Sequence, residues 1–156
     1  MEIVPLLYNI RSVYNVGSIF RTSDALGIKQ IYLYGYTPSP VDKIGNIRQD
    51  FKKVSLGAEN YILWHSIKQF KPIVNNFRKN GYKIFAIEQN KKSIPFYKLK
   101  ISNKDKIILI VGNEIKGLPT TVLKQCDKIL EIPMLGNKES LNVSIAFAIV
   151  SFYIVY

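Results

Sequence analysis

The chain has one cysteine, Cys126, and one histidine, His65, among its 156 residues. A lone cysteine closes no intramolecular disulfide, and one cysteine with one histidine cannot assemble the usual zinc ligand sets. No metal site is therefore expected, Cys126 reads as a small buried apolar residue and His65, beside Trp64, as a packing residue. A reducing, cytoplasmic setting follows. Position 2 is acidic where a secretory leader would be basic, and no small-residue cleavage site follows, so export is not expected. A membrane span is missing too. The most apolar stretch, 141–156, is shorter than the roughly 20 residues a span needs and is interrupted by Asn142, Ser144 and Ser151. The G-x-G-x-x-G dinucleotide fingerprint does not occur, and "GNEIKGLP" has the glycine spacing of a phosphate loop without its Lys-Ser/Thr.

Arginine is scarce. Of 22 cationic residues only 4 are Arg, against 11 acidic residues, so the net charge of +11 is carried mainly by Lys. Such a balance favours polyanionic partners, but a Lys-, Ile- and Asn-rich composition also arises without any such partner. The arginines are the more informative residues because their planar fork matches phosphate. With 9 Gly, 7 Pro and 47% hydrophobic residues, the chain has the composition of an ordered domain with a sizeable core.

Short apolar runs alternate with helical patterns. "IVPLLYNI" (3–10), "KQIYLYGY" (29–36), "YKIFAIEQ" (82–89), "KIILIVGN" (106–113) and "KILEIPM" (128–134) read as strands. A helix is expected from Asn15, as its N-cap, to Gly27; another from a Ser66 cap to Gly81 with Pro72 inside it; and a short one around "LPTTVLKQC". Residues 46–65 read as a basic, partly helical segment ending in a short strand at Tyr61–Trp64. Strands that are continuously apolar rather than alternating, separated by helices, predict an α/β fold: a parallel sheet covered by helices on both faces. Ligands of such sheets bind where strands end at their carboxyl termini. Polar residues concentrate there: Asn9, Arg11, Ser12 and Asn15 after the first strand, Gly112, Asn113 and Glu114 after "IILIV", and Gly136, Ser140 and Asn142 after "ILEIP". Singly, each is an ordinary cap or turn. On three strand ends together they form a constellation.

The segments "NIRSVYNVGSIFRTSDALG", "IILIVGNEIKGLP" and "EIPMLGNKESLNVSIAFAI" resemble the three ordered motifs of the SpoU (TrmH-like) class of SPOUT RNA methyltransferases. The resemblance implies a single domain over 1–156 whose C-terminal segment threads a loop to form a deep trefoil knot, a topology that chain-connection rules alone argue against. It implies S-adenosylmethionine held against the backbone of Ile87, Gly112, Ile132 and Leu141, and catalytic positions at Asn15, Arg21, Glu114, Ser140 and Asn142. It also implies a homodimer through the knot region, giving the oily C-terminal helix a partner. The implied reaction is methyl transfer to a ribose 2′-hydroxyl of tRNA or rRNA, with a non-catalytic RNA-binding knot protein as the alternative. Charge points to Arg11, Arg48, Lys52 and Lys53, with Arg21, as the RNA-binding residues. Glu114 is expected to order the loops or to steady Arg21, and Ser144 only to tie down the start of its helix.

Overall fold

The computed structural model describes all residues 1–156. Its strands are β1 (Glu2–Tyr8), β2 (Gln30–Tyr34), β3 (Leu63–Ile67), β4 (Tyr82–Ile87), β5 (Ile94–Pro95), β6 (Lys106–Val111) and β7 (Lys128–Glu131). Its helices are α1 (Val13–Ala25), α2 (Gln49–Ser55), α3 (Phe70–Lys79), α4 (Thr120–Leu123) and α5 (Val143–Val155). The strands form one sheet in the order β3-β2-β1-β6-β4-β7-β5, and every pairing is parallel. All strands therefore end on one side, and β1, β6 and β7, whose following loops carry the polar residues noted above, lie together around β4.

Both faces of the central strands are covered, which is why β6 reads as an unbroken apolar run. Ile107, Leu109 and Val111 point to one face, where they pack with Val16, Ile19 and Phe20 of α1, Phe51 of α2 and Phe147, Val150 and Ile154 of α5. Ile108 and Ile110 point to the other, against Phe70, Val74 and Phe77 of α3 and Val122 and Leu123 of α4. The expected α/β architecture is thus realised.

Several boundaries differ from expectation, each for a local reason. Ser12, not Asn15, caps α1: its hydroxyl accepts from the Asn15 N–H at 3.3 Å, which moves Asn15 into the helix and frees its side chain. Gly27, at φ 69°, ends that helix in the left-handed region, as its spacing predicts. Ser66 lies inside β3 rather than capping α3, whose N-cap is Gln69. Pro72 is then the third helical residue, where no intrahelical partner for an N–H is lost. The segment around 46–65 resolves into α2, a 3₁₀ turn over Ala58–Asn60 and an edge strand that begins at Leu63, beyond the expected start. The two-residue β5 had no sequence signal. Cys126 is half-buried, and burial beside Asp127 pushes its thiol up to about 12, which leaves it an inert apolar group. His65 packs against Tyr32 with ring centres 4.7 Å apart and the planes tilted by 32°.

Helix α5 is apolar all round. One side buries Phe147, Val150 and Ile154, whereas Ile145, Ile149, Phe152 and Tyr156, spaced to share a stripe, remain exposed. No helix is long and apolar enough to cross a membrane. Because Phe147 is fully buried between α5 and the sheet, Phe147→Ala is expected to cost about 3–5 kcal/mol of unfolding free energy. Urea denaturation checks this; a loss under about 1 kcal/mol would mean that α5 is not anchored in the core.

Candidate functional site

A cleft of about 460 Å³ opens at the carboxyl ends of β4, β6 and β7, within the range of small-ligand sites. Its wall includes Ile87, Gly112, Ile132 and Leu141, the four positions expected to present backbone to a cofactor, together with Glu114, Ser140 and Asn142. Gly112 is the cradle. A Cβ there would meet the Gly117 carbonyl carbon at 2.7 Å and the Leu118 nitrogen at 2.8 Å, so the loop after β6 folds back on itself only because residue 112 has no side chain. The return is held by Asn113, whose Oδ1 accepts from the N–H groups of Ile115 (3.0 Å) and Lys116 (2.8 Å).

The three polar clusters meet at the cleft's rim. Glu114 accepts three hydrogen bonds: from the N–H of Arg11 at 2.9 Å, from the N–H of Ser12 at 3.0 Å and from Asn15 Nδ2 at 2.9 Å. Asn15 Oδ1 in turn accepts from Asn142 Nδ2 at 3.0 Å, and Asn142 Oδ1 accepts from the Ser144 N–H at 2.9 Å. Partial burial pushes the Glu114 carboxyl up, but the Arg11 and Ser12 N–H groups and the Asn15 amide outweigh it, and the group stays below its ordinary value. An ionised carboxylate only accepts, so Asn15 must turn its NH₂ to Glu114 and its oxygen to Asn142. The direction of the whole chain is therefore set at one end by the Glu114 charge and at the other by the Ser144 N–H. Asn142 is itself the N-cap of α5. Ser144 has the local function foreseen, its hydroxyl lying 2.7 Å from Asn142 Oδ1.

Glu114 orders the loops and is not bonded to Arg21, whose exposed side chain lies on α1 outside the cleft wall. Ser140 is exposed at the rim. Of the expected basic residues, Arg48 is committed to a two-pronged pair with Asp50, at 3.2 and 2.9 Å, whereas Arg11, Lys52 and Lys53 are exposed and take part in none of the chain's three ion pairs. Two further residues hold the loop after β6 in shape: Asn113, noted from sequence only for its place at a strand end, and Glu88, not singled out. Asn113 is nearly buried and donates to the Asn9 carbonyl at 2.9 Å, tying the loop after β6 to the loop after β1. Glu88 accepts from the Leu118 N–H at 2.8 Å and braces the same loop from the β4 side. A polar residue directly after the last strand residue, Ile87, was the signal that could have found Glu88.

The family model described as SpoU rRNA Methylase family matches residues 2–152, a span that includes all three loops. The chain belongs to the SpoU rRNA methylase family. This SpoU chain is 27% identical over 149 residues to a tRNA (guanosine(18)-2'-O)-methyltransferase of Aquifex aeolicus, covering 96% of its own length and 66% of that protein. It is 31% identical over 147 residues to a tRNA (guanosine(18)-2'-O)-methyltransferase of Borreliella burgdorferi, covering 94% and 63%. It thus spans about two thirds of the length of these relatives. Among solved structures, an AdoMet-bound rRNA methyltransferase from Sinorhizobium meliloti superposes with a TM-score of 0.86 at 26% identity over 97% of this chain and 55% of that one.

The depressed Glu114 carboxyl carries a pH signature. Its folded-state value lies below the 4.5 of a free glutamate, so the stabilisation is complete above 4.5 and is lost as pH falls through the folded-state value. Glu114→Gln is therefore expected to lower unfolding stability at pH 7 by about 1 kcal/mol, a modest figure because the residue is exposed, and the gap from wild type should narrow as pH falls below 4.5. Denaturation at pH 7 and pH 3.5 checks this. A gap that widens in acid would contradict the assignment.

Proposed function

We propose that the chain is an S-adenosylmethionine-dependent RNA methyltransferase acting on a ribose 2′-hydroxyl of tRNA or rRNA. The observation that carries this reading is the cleft cradled by Gly112 with the Glu114–Asn15–Asn142 chain at its rim. The 2′-O activity named for the two relatives above supports the ribose as target, and the AdoMet-bound neighbour supports the cofactor. The cleft's size and its backbone-lined wall fit that cofactor, which Ile87, Gly112, Ile132 and Leu141 would hold. When bound it supplies a methyl group on a sulfonium whose charge is neutralised as the new C–O bond forms.

The chain's own residues then have to position the hydroxyl and deal with its proton. Glu114 is ill suited as a base, since its oxygens are engaged by three donors that favour the ionised form and weaken its pull on a proton. Arg21 is unsuited for a different reason: a guanidinium stays protonated. We assign Arg21 to a bidentate grip on RNA phosphate, with that phosphate or a water accepting the proton. From the outer side of α1, Arg21 meets a reacting group only when RNA, or the cleft of a second copy, comes to it. Ser140 and Asn142, at the rim, orient the ribose, and Asn15 keeps Asn142 in place. Arg11, Lys52 and Lys53 contribute to RNA capture, and Arg48 does so once released from Asp50.

The exposed stripe Ile145, Ile149, Phe152 and Tyr156 of α5 supports a homodimer, since an apolar face of this kind is ordinarily covered. Gln89 donates to the Glu139 carbonyl at 2.5 Å, so the segment leading to α5 passes beside the loop after β4, and we propose that this crossing belongs to a trefoil knot. A cytoplasmic location accords with an RNA substrate.

Incubation with methyl-labelled S-adenosylmethionine and unfractionated tRNA or rRNA, followed by digestion to nucleosides, tests the reading. A labelled 2′-O-methylnucleoside is expected, with Arg21→Lys reducing its yield at least tenfold. Label on a base, or no cofactor uptake by the folded protein, overturns the proposal, and full activity of Arg21→Lys overturns the bidentate grip.

A further inference from the structure

The loop after β6 has two sides. One is the cleft described above; on the other lies a second groove of about 450 Å³, bounded by Arg11, Tyr36, Asn113, Ile115 and Lys116. Asn113, Ile115 and Lys116 line both, so an occupant of the groove sits one loop's thickness from an occupant of the cleft. The groove is built from two free cations and a ring. Arg11 and Lys116 are exposed and enter none of the chain's ion pairs. The Arg11 backbone is nevertheless fixed by its N–H bond to Glu114, whose carboxylate is taken up by three donors. Tyr36 is 58% exposed, an unusual setting for a large ring, yet it is restrained at both ends. Its hydroxyl accepts from Asn113 Nδ2 at 3.0 Å, and its N–H donates to Asn9 Oδ1 at 3.4 Å. Asn113 is nearly buried, so the ring is held by the same amide that shapes the loop beside the cofactor cleft.

A flat aromatic surface between an arginine and a lysine fits a ligand that is itself flat and anionic. A nucleotide answers to that chemistry, whereas an acidic peptide would use the cations and leave the ring unused. We infer that the groove seats the RNA nucleotide next to the one methylated, with its base stacked on Tyr36 and its phosphate held by Arg11 and Lys116. This inference rests on the function proposed above. Stacking on Tyr36 requires an unpaired base, so the substrate class is narrowed to RNA whose target lies in a loop or another single-stranded stretch.

Fluorescence anisotropy with a fluorescein-labelled decauridylate, at several salt concentrations, tests it. Tyr36→Leu, which removes the ring, is expected to weaken binding about fivefold or more, the lower end of a base–aromatic stack. Tyr36→Phe keeps the ring and should remain within about twofold of wild type. Arg11→Gln combined with Lys116→Gln should flatten the slope of log K against log salt by about 1.4, from two single-strand phosphate contacts. Equal losses in Tyr36→Phe and Tyr36→Leu would mean that only the hydroxyl bond to Asn113 matters and would overturn the stacking role. An unchanged salt slope, or no binding of the oligonucleotide by wild type, would also overturn the inference. Titration of wild type with S-adenosylmethionine, together with the labelled-methyl assay, separates this failure from the larger one: uptake and transfer with an unaffected groove discard the subsite alone, and neither uptake nor transfer discards the proposed function.

Discussion

One hydrogen-bond chain, from Asn142 through Asn15 to Glu114, holds the candidate site together. Its members are far apart in sequence: 99 residues separate Asn15 from Glu114 and 127 separate Asn15 from Asn142. Each end also secures backbone. Glu114 gathers two N–H groups of the loop after β1, and Asn142 caps α5. The direction of the chain is fixed from both ends, because the Glu114 carboxylate can only accept and the Ser144 N–H that Asn142 caps can only donate. A site that must present defined donors and acceptors to a ribose needs that direction fixed beforehand.

The sheet makes this chain possible. Parallel pairing brings the ends of β1 and β6 side by side although the strands lie about a hundred residues apart in sequence, with Leu7 opposite Val111 in register. The loops leaving those ends are then within side-chain reach. Gly112 lets one of them double back, and the space left between that return and the loops after β4 and β7 is the cleft. Core and site are thus linked through a few strand termini, and α5 serves both, since its buried side packs on the sheet while its cap belongs to the rim.

Much of this was legible in the sequence. Continuous apolar strands announced a sheet covered on two faces, and the polar residues at their ends announced where to look. The four positions expected to line a cofactor site all lie on one cleft. Capping was misread at α1, where Ser12 takes the place expected of Asn15. Asn15 and Asn142 each had a serine nearby, and local rules do not say which of two capping-competent residues is drawn away by a partner a hundred residues distant. In the event Ser12 caps α1, leaving Asn15 free, whereas Asn142 caps α5 and still reaches Asn15. Arg21 illustrates the opposite limit: motif position singles it out, but its place on the outer side of α1 depends on the helix's rotation against the sheet. The roles of Tyr36 and Asn113 were invisible for a related reason, since their bond spans 77 residues and has no local pattern.

Asn15 and Asn142 act as one unit across the fold, and a double-mutant cycle on unfolding free energy measures that coupling. Asn15→Ala, Asn142→Ala and the double variant are compared with wild type at pH 7, where the loss of the α5 cap appears equally on both sides of the cycle and cancels. A coupling of about 0.5–1 kcal/mol is expected, with the double variant less destabilised than the sum of the single ones. Additivity within about 0.3 kcal/mol would contradict it, showing that the two asparagines do not hold the loops together.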